Sequence, residues 1–238
     1  MKHGDCLALL ADLPDGSVDL ILVDPPYGST ACSWDQVVPF EPMWREVWRV
    51  LKPNGAALFF GSEPFATTLR ASAMAQYRYD WYWHKRFAGN FVQAKRMPLK
   101  VVETISVFSN GKALPKYYPQ KTPRSKPIRK GSNNRDEAIP ISQTEHARTF
   151  DGKVYTDKMP DTFLEFSVRE DRGHHPTQKP TSLLAYLIET YTLPGETVLD
   201  FTMGAGSTGV AAIATGRRFI GVESDLNYFE TARERLVK

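Results

Sequence analysis

The sequence is poor in cysteine, in long apolar runs and, over one long stretch, in acid. Only Cys6 and Cys32 occur among 238 residues, and neither sits at metal-ligand spacing. That excludes a disulfide scaffold or a zinc-ribbon framework and points to a reduced, cytoplasmic protein. The apolar stretches are strand-sized and the first residues carry no signal-peptide pattern, so no membrane partner is expected. No internal repeat is visible. Between Lys85 and Arg135 the only acid is Glu103, against 13 Lys and Arg. The rest of the chain therefore holds 17 basic and 26 acidic residues, although the formal net charge is only +3. A basic block on an acidic body suggests a polyanion partner; the plainer alternative is a solvated charged loop.

What is present fits one α/β domain over 1–238, with 42% hydrophobic and 24% charged residues. Val18–Val23 and Ala56–Phe60 read as strands covered on both faces. Glu41–Leu51 has apolar residues at helical spacing, and "KPNG" stops it. Ser62 is a candidate cap for a helix running to about Gln76. Tyr79–His84 and Thr104–Phe108 read as further strands. From Asn110 to about Asp161 no period is sustained, and an extended or partly disordered excursion is expected. Regular structure resumes with a helix over Pro180–Thr192, a strand over Thr197–Phe201, and a helix from Gly206 to about Thr215. A strand over Arg218–Val222 and a helix over Leu226–Val237 close the chain. Strands alternating with helices imply a doubly wound, mostly parallel sheet.

Two short stretches carry chemistry. "VLDFTMGAGSTG", residues 198–209, places glycines at 204, 206 and 209 between a strand and a helix, and Glu223 ends the next strand. This is the context of a nucleotide-binding turn, with an acid able to accept hydrogen bonds from ribose hydroxyls. Asp200 stands just before the glycines, where a pyrophosphate would meet like charge. A ligand with ribose hydroxyls, a cationic amino group and no phosphate fits better, and S-adenosylmethionine is such a ligand. The second stretch, "VDLILVDPPYGS", ends a strand in an acid, two prolines and a tyrosine. An exocyclic amine on a planar base is a poor nucleophile because its lone pair is delocalised. The Asp24 carboxylate and the Pro25 carbonyl can accept its two N–H bonds and localise that pair. Pro25 and Pro26 hold the turn without adding a competing donor, and Tyr27 can stack on the base.

"DPPYG", "HPTQKP" and "DFTMGAGSTG", in that order, resemble the β class of S-adenosylmethionine-dependent DNA amino-methyltransferases. The family has a Rossmann-like fold with a permuted motif order. The likeness spans about 4–236 and is weakest over 112–165. It implies S-adenosyl-L-methionine as cofactor, double-stranded DNA as partner and a prokaryotic or phage origin. A homodimer is expected by analogy, and a partner restriction endonuclease is left open. By the same likeness Asp5 and Cys6 reach the cofactor adenine, and His175, Thr177 and Lys179 lie over its methionine moiety. Lys179 would pair with the methionine carboxylate. Asp200, Phe201, Gly204, Gly206, Ser207, Thr208 and Glu223 complete the cofactor set. The aspartate form of the catalytic motif favours adenine N6 without excluding cytosine N4. No metal is implied, since His174 and His175 have no third ligand at suitable spacing.

The family places target recognition between the two motifs, here an inserted region over about 85–165. Within it "KRFAGNFVQAKRMPLK" interleaves Lys85, Arg86, Lys95, Arg96 and Lys100 with Phe87, Phe91 and Met97, and is expected to face DNA. The expected reaction is flipping of adenine followed by direct methyl transfer. The rivals are N4-cytosine methylation, amine methylation of protein or RNA, a non-catalytic DNA-binding module, and, on the glycines alone, a nicotinamide oxidoreductase.

Overall fold

The computed structural model describes residues 1–29, 35–111, 113–129, 154–168, 173 and 178–237. They fall into two compact units, Met1–Tyr118 with Asp161–Lys238, and Pro119–Pro160. The larger unit is built on an eight-stranded sheet. Its strands, in chain order, are β1 (Lys2–His3), β2 (Val18–Val23), β3 (Leu51–Gly61), β4 (Tyr77–His84) and β5 (Val102–Ser109). The smaller unit holds an antiparallel pair, β6 (Thr122–Arg129) and β7 (Val154–Lys158). The large sheet is completed by β8 (Phe163–Glu165), β9 (Thr197–Asp200) and β10 (Arg218–Glu223). Its spatial order is β1-β10-β9-β2-β3-β5-β4-β8. Only β5 runs against its neighbours β3 and β4, so the sheet is mostly parallel, as the sequence pattern implies.

Side chains of β2 and β3 alternate between two apolar layers, as period-2 strands buried on both faces must. Ile21, Val23, Ala57 and Phe59 face one layer, with α1 (Cys6–Ala11), α2 (Phe40–Val50) and α3 (Phe65–Ser72). Leu20, Leu22, Leu58 and Phe60 face the other, with α4 (Thr181–Tyr191) and α5 (Ser207–Ala214). The last helix, α6 (Leu226–Leu236), packs on α5 and β10. Among the described residues no helix is long and apolar enough to cross a membrane.

Three local expectations change. The "KPNG" turn sits inside the span of β3, where the register jumps from Val18↔Leu51 to Leu20↔Ala56. Ser62 gives α3 only its backbone carbonyl, which accepts Ala66 N–H at 3.1 Å. Glu63 supplies the side-chain cap, taking Thr67 N–H at 3.1 Å and its hydroxyl at 2.6 Å. That helix stops at Ser72, because Tyr77 already pairs with Phe108 as β4 begins. The expected excursion after Asn110 contains β6 and β7, while 130–153 lie outside the described residues.

At the edge of the sheet where β2 and β9 begin, one carboxylate ties strands together. Asp19, on β2 and nearly fully buried, accepts Lys52 Nζ from β3 at 2.8 Å and Thr197 N–H from β9 at 3.0 Å. Lys116 Nζ lies 3.6 Å away. Burial pushes this carboxyl up, but the Lys52 and Thr197 hydrogen bonds and the cations outweigh it and hold it below its usual 3.8. Asp19→Ala strands the Thr197 N–H and should cost about 2 kcal/mol in thermal or urea unfolding. A depressed carboxylate stabilises above its unfolded pKa, so the gap between wild type and variant should narrow as pH falls below about 4.

Candidate active site

β2 and β9 are neighbours, with Leu20 paired to Val198 and Ile21 to Leu199. Being parallel, they release their following loops at the same edge. Asp24 follows β2 and Asp200 ends β9. Thr202 donates its hydroxyl to the Asp24 carbonyl at 3.2 Å, across 178 residues of sequence. β10 ends beside them on Glu223. All three carboxylates line one cavity of about 500 Å³. Ligands of open α/β sheets sit at this carboxyl edge.

Asp24 is held from two sides. Tyr27 donates its hydroxyl to one carboxylate oxygen at 2.7 Å, and Lys179 donates its ammonium to the other. The Tyr27 ring stacks on Phe65, centroids 4.9 Å apart, and also lines the cavity. Burial first, and the Asp24 charge second, push the Tyr27 hydroxyl well above its usual value, so it stays a donor. Lys179 is buried, 5.1 Å above the Phe60 ring. Burial alone would lower its ammonium, but Asp24 and Glu103 outweigh that and raise it. Glu103 lines the same cavity: one oxygen accepts Lys85 Nζ at 2.8 Å, and the other, 3.6 Å from Lys179, has no hydrogen-bond partner among the described residues. Burial would raise Glu103, and the two lysines reverse it. Asp35 accepts Gly28 N–H and Ser29 N–H, each at 2.8 Å.

The other end of the cavity is acidic. Asp200 is buried, accepts Thr202 N–H at 3.1 Å, and is pushed up from 3.8 to about 7. Burial is the main cause; the nearby charges of Asp24 and Glu223 add to it, while hydrogen bonds from Thr208 and Thr202 oppose it. Glu223 accepts Gly204 N–H and Asp225 N–H, each at 2.8 Å, which braces the glycine turn. Gly204 and Gly206 have φ of +51° and +77°, a region that glycine enters without strain. A Cβ on Gly206 would also lie 2.9 Å from Ala232 of α6, and one on Gly209 would lie 2.6 Å from the Phe219 ring. Arg235 of α6 donates to the Ala205 carbonyl at 2.5 Å. Gly204, Ser207 and Thr208 line the cavity, whereas Gly206 and Gly209 serve packing behind it. Asp5 caps α1 through Ala8 N–H at 2.9 Å and lines the cavity beside Cys6, whose thiol burial raises to about 11. Three carboxylates around one space favour a cationic ligand with hydroxyl groups.

A DNA methylase family model matches residues 18–234. The chain belongs to the N6/N4 DNA methylase family. YubD of Escherichia coli K12, which carries the name of a methylase, is 30% identical over 242 residues, covering 98% of this chain and 88% of YubD. The fold is also that of the M1.HpyAVI complex with SAM, at 24% identity, TM-score 0.64, and 99% and 98% of the two chains. It matches the cytosine-N4-specific PvuII DNA methyltransferase at 18% identity, TM-score 0.71, and 100% and 86%. TTHA0409 of Thermus thermophilus, crystallised with S-adenosyl-L-methionine, matches at 21% identity, TM-score 0.61, and 99% and 93%. Membership makes this chain a DNA methyltransferase dependent on S-adenosyl-L-methionine.

The described residues among those read from the methylase motifs lie at one edge of the sheet, with distinct surroundings. Asp24, Pro25, Pro26 and Tyr27 line the cavity with Asp200, Phe201 and Glu223. Phe201 is nearly fully buried and meets Phe59 edge-on at 6.1 Å. Lys179, read toward a methionine carboxylate, lines the cavity with its ammonium on Asp24 and 3.6 Å from Glu103. Lys85, expected to face DNA, instead turns inward and pairs with Glu103 at 2.8 Å. Arg86 sits 3.6 Å from Glu165, while Lys95, Arg96 and Lys100 are exposed. His175 and Thr177 lie outside the described residues, as do His174 and Cys32. Among the described residues no group of His, Cys, Asp and Glu could hold a metal. Sequence reasoning missed Glu103, Asp35, Thr202 and Gln178. Gln178 lines the cavity with both amide atoms buried and no partner among the described residues, so it can serve a ligand there.

Asp200 gives this methylase a pH signature. Its raised pKa means that ionising it costs folding stability as pH rises toward 7. A cationic cofactor prefers the ionised form, so affinity should rise through the same window. S-adenosyl-L-methionine should bind about tenfold more tightly at pH 8 than at pH 6, with proton uptake by buffer seen in titration calorimetry. Asp200→Asn should bind more weakly and nearly independently of pH over that range.

Proposed function

We propose that this methylase transfers the methyl group of S-adenosyl-L-methionine to the exocyclic N6 of an adenine flipped out of double-stranded DNA. The observation that supports the reading is an aspartate, Asp24, held by Tyr27 and Lys179 in the same cavity as Asp200 and Glu223. The cofactor supplies an electrophilic methyl group on a sulfonium. Asp200 would face its ammonium, Glu223 its ribose hydroxyls, and Asp5 its adenine, with Ser207 and Thr208 at the start of α5.

Asp24 accepts one N–H of the target amine and the Pro25 carbonyl accepts the other. Together they draw the nitrogen lone pair out of the ring and toward the methyl carbon. The free face of Tyr27 stacks on the base, backed by Phe65. As the N–C bond forms and the sulfonium–methyl bond breaks, its electron pair staying on sulfur, positive charge grows on the amine and Asp24 offsets it. Asp24 then takes the surplus proton, leaving a neutral methylamino group. Lys179 must yield room on Asp24 as the amine arrives, and the unpartnered Glu103 oxygen is the acceptor within reach. The charge of the cluster is then conserved while its pairing changes. Positioning and electrostatics carry the rate, with no covalent enzyme intermediate.

The aspartate in the first position of the clamp supports adenine over cytosine. Digesting methylated DNA to nucleosides tests this directly: N6-methyladenine is expected, and N4-methylcytosine overturns the base assignment. Modified-base sequencing of DNA from cells expressing the chain also maps the site. Asp24→Ala should bind S-adenosyl-L-methionine within about threefold of wild type and lose at least about 10³ in transfer rate. Retained activity in that variant removes the clamp.

A further inference from the structure

The β4–β5 connection, residues 85–101, leaves the sheet at the edge where Asp24 lies. β5 is antiparallel to β3, with Thr104 opposite Gly61, and β3 is parallel to β2, with Phe59 opposite Val23. The base of the connection is closed by Lys85 N–H to the Val101 carbonyl at 2.8 Å. It is fastened to the cavity by the partly buried pair of Lys85 with Glu103.

The outer part is stitched across its width by one side chain. Asn90 donates to the Pro98 carbonyl at 3.2 Å and accepts Lys100 N–H at 2.6 Å. Between these points the chain makes a 3₁₀ turn, Phe91–Gln93, with Gln93 N–H on the Asn90 carbonyl at 2.9 Å. Arg96 N–H returns to the Gln93 carbonyl at 2.8 Å. The turn is thus braced from within, yet its apolar side chains point away from any core: Phe91 is 64% exposed and Val92 96%. Lys95, Arg96 and Lys100 are exposed close by, and the connection holds no acid.

An exposed apolar tip ringed by cations matches the chemistry of a duplex with an open base step. The phosphates flank the groove, and the gap left by an extruded base is flat and apolar. We propose that Phe91 and Val92 are a wedge that enters the DNA stack and fills the space vacated by the target base, while Lys95, Arg96 and Lys100 grip the adjacent phosphates. The inference rests on the methyl-transfer reading above and adds the residues that open the duplex. The Lys85–Glu103 pair sets the distance between wedge and clamp, so the base leaves its stack toward Asp24.

The test compares wild type with Phe91→Ala/Val92→Ala on two duplexes carrying the mapped site. One is fully paired; in the other the target adenine lies opposite an abasic position and is already loose. Because both side chains are exposed, the variant should melt within about 2 °C of wild type. On the paired duplex the variant should methylate about 10- to 100-fold more slowly, and on the loosened duplex within about threefold of wild type. Fluorescence of 2-aminopurine at the target position should rise with wild type and not with the variant. Val92→Leu should restore most of the rate when paired with native Phe91.

Equal rates of variant and wild type on the paired duplex overturn the wedge. So does an equal loss on both duplexes, which means that the tip binds DNA without opening it. A wild-type dimer that the double variant converts to monomers, with both substrates equally affected, makes the tip a subunit contact and also overturns it. Wild type is the internal reference: no transfer to either duplex removes the methyl-acceptor reading itself, and the wedge with it.

Discussion

Parallel pairing of Val18–Val23 with Thr197–Asp200 sets everything else in place. It brings the turn after β2 and the glycine turn after β9, 178 residues apart, near enough for Thr202 to hydrogen-bond the Asp24 backbone. At the far end of the same strands, Asp19 ties β2 to β3 and β9. A slip of one residue in this pairing would exchange the two faces of β2, exposing Ile21 and Val23 to the wrong layer. The two apolar layers therefore fix the register, and the register fixes the meeting of Asp24 with Asp200. Core packing and chemistry are the same constraint seen from opposite ends of the strands.

The charges around the cavity follow from that meeting. Asp5, Asp24, Asp35, Glu103, Asp200 and Glu223 line one cavity, and among the described residues lining it Lys179 is the only lysine or arginine, with Lys85 pairing Glu103. Burial first, with the charges of Asp24 and Glu223 adding to it, raises Asp200 to about 7. In the proposed reaction, a cofactor bearing positive charge would complete the balance at one end, and an amine gaining positive charge at the other. Lys179, placed between Asp24 and Glu103, lets the balance be redrawn without moving a charge into solvent.

Much of this is legible in the sequence because it rests on local pattern. Strands covered on both faces show as apolar runs, and strand–glycine–helix shows as spacing; both carry the right elements to the right places. The reversal of β5 is not legible, since pairing direction is a property of partners and not of the strand. The motif around Lys179 points it toward a ligand, yet its nearest opposite charge comes from Asp24, 155 residues away. Glu103 does leave a signal: a lone acid among 13 cations is an odd choice for a solvated loop, and it marks a buried counter-charge. Asp35 leaves none, because its value lies wholly in what the fold puts beside it. The glycines read as room for a ligand, and only Gly204 has that setting; Gly206 and Gly209 are small because α6 and β10 press against them.

That last contact makes the closing helix a mould for the cofactor turn. Ala232 leaves no space for anything larger than hydrogen at Gly206, and Arg235 grips the Ala205 carbonyl from behind. The curvature presented to the ligand is impressed from the side the ligand never touches. A change of volume at Ala232 would therefore be felt as a change of affinity, transmitted through the backbone of three residues. The helix α6 thus shapes the glycine turn from behind.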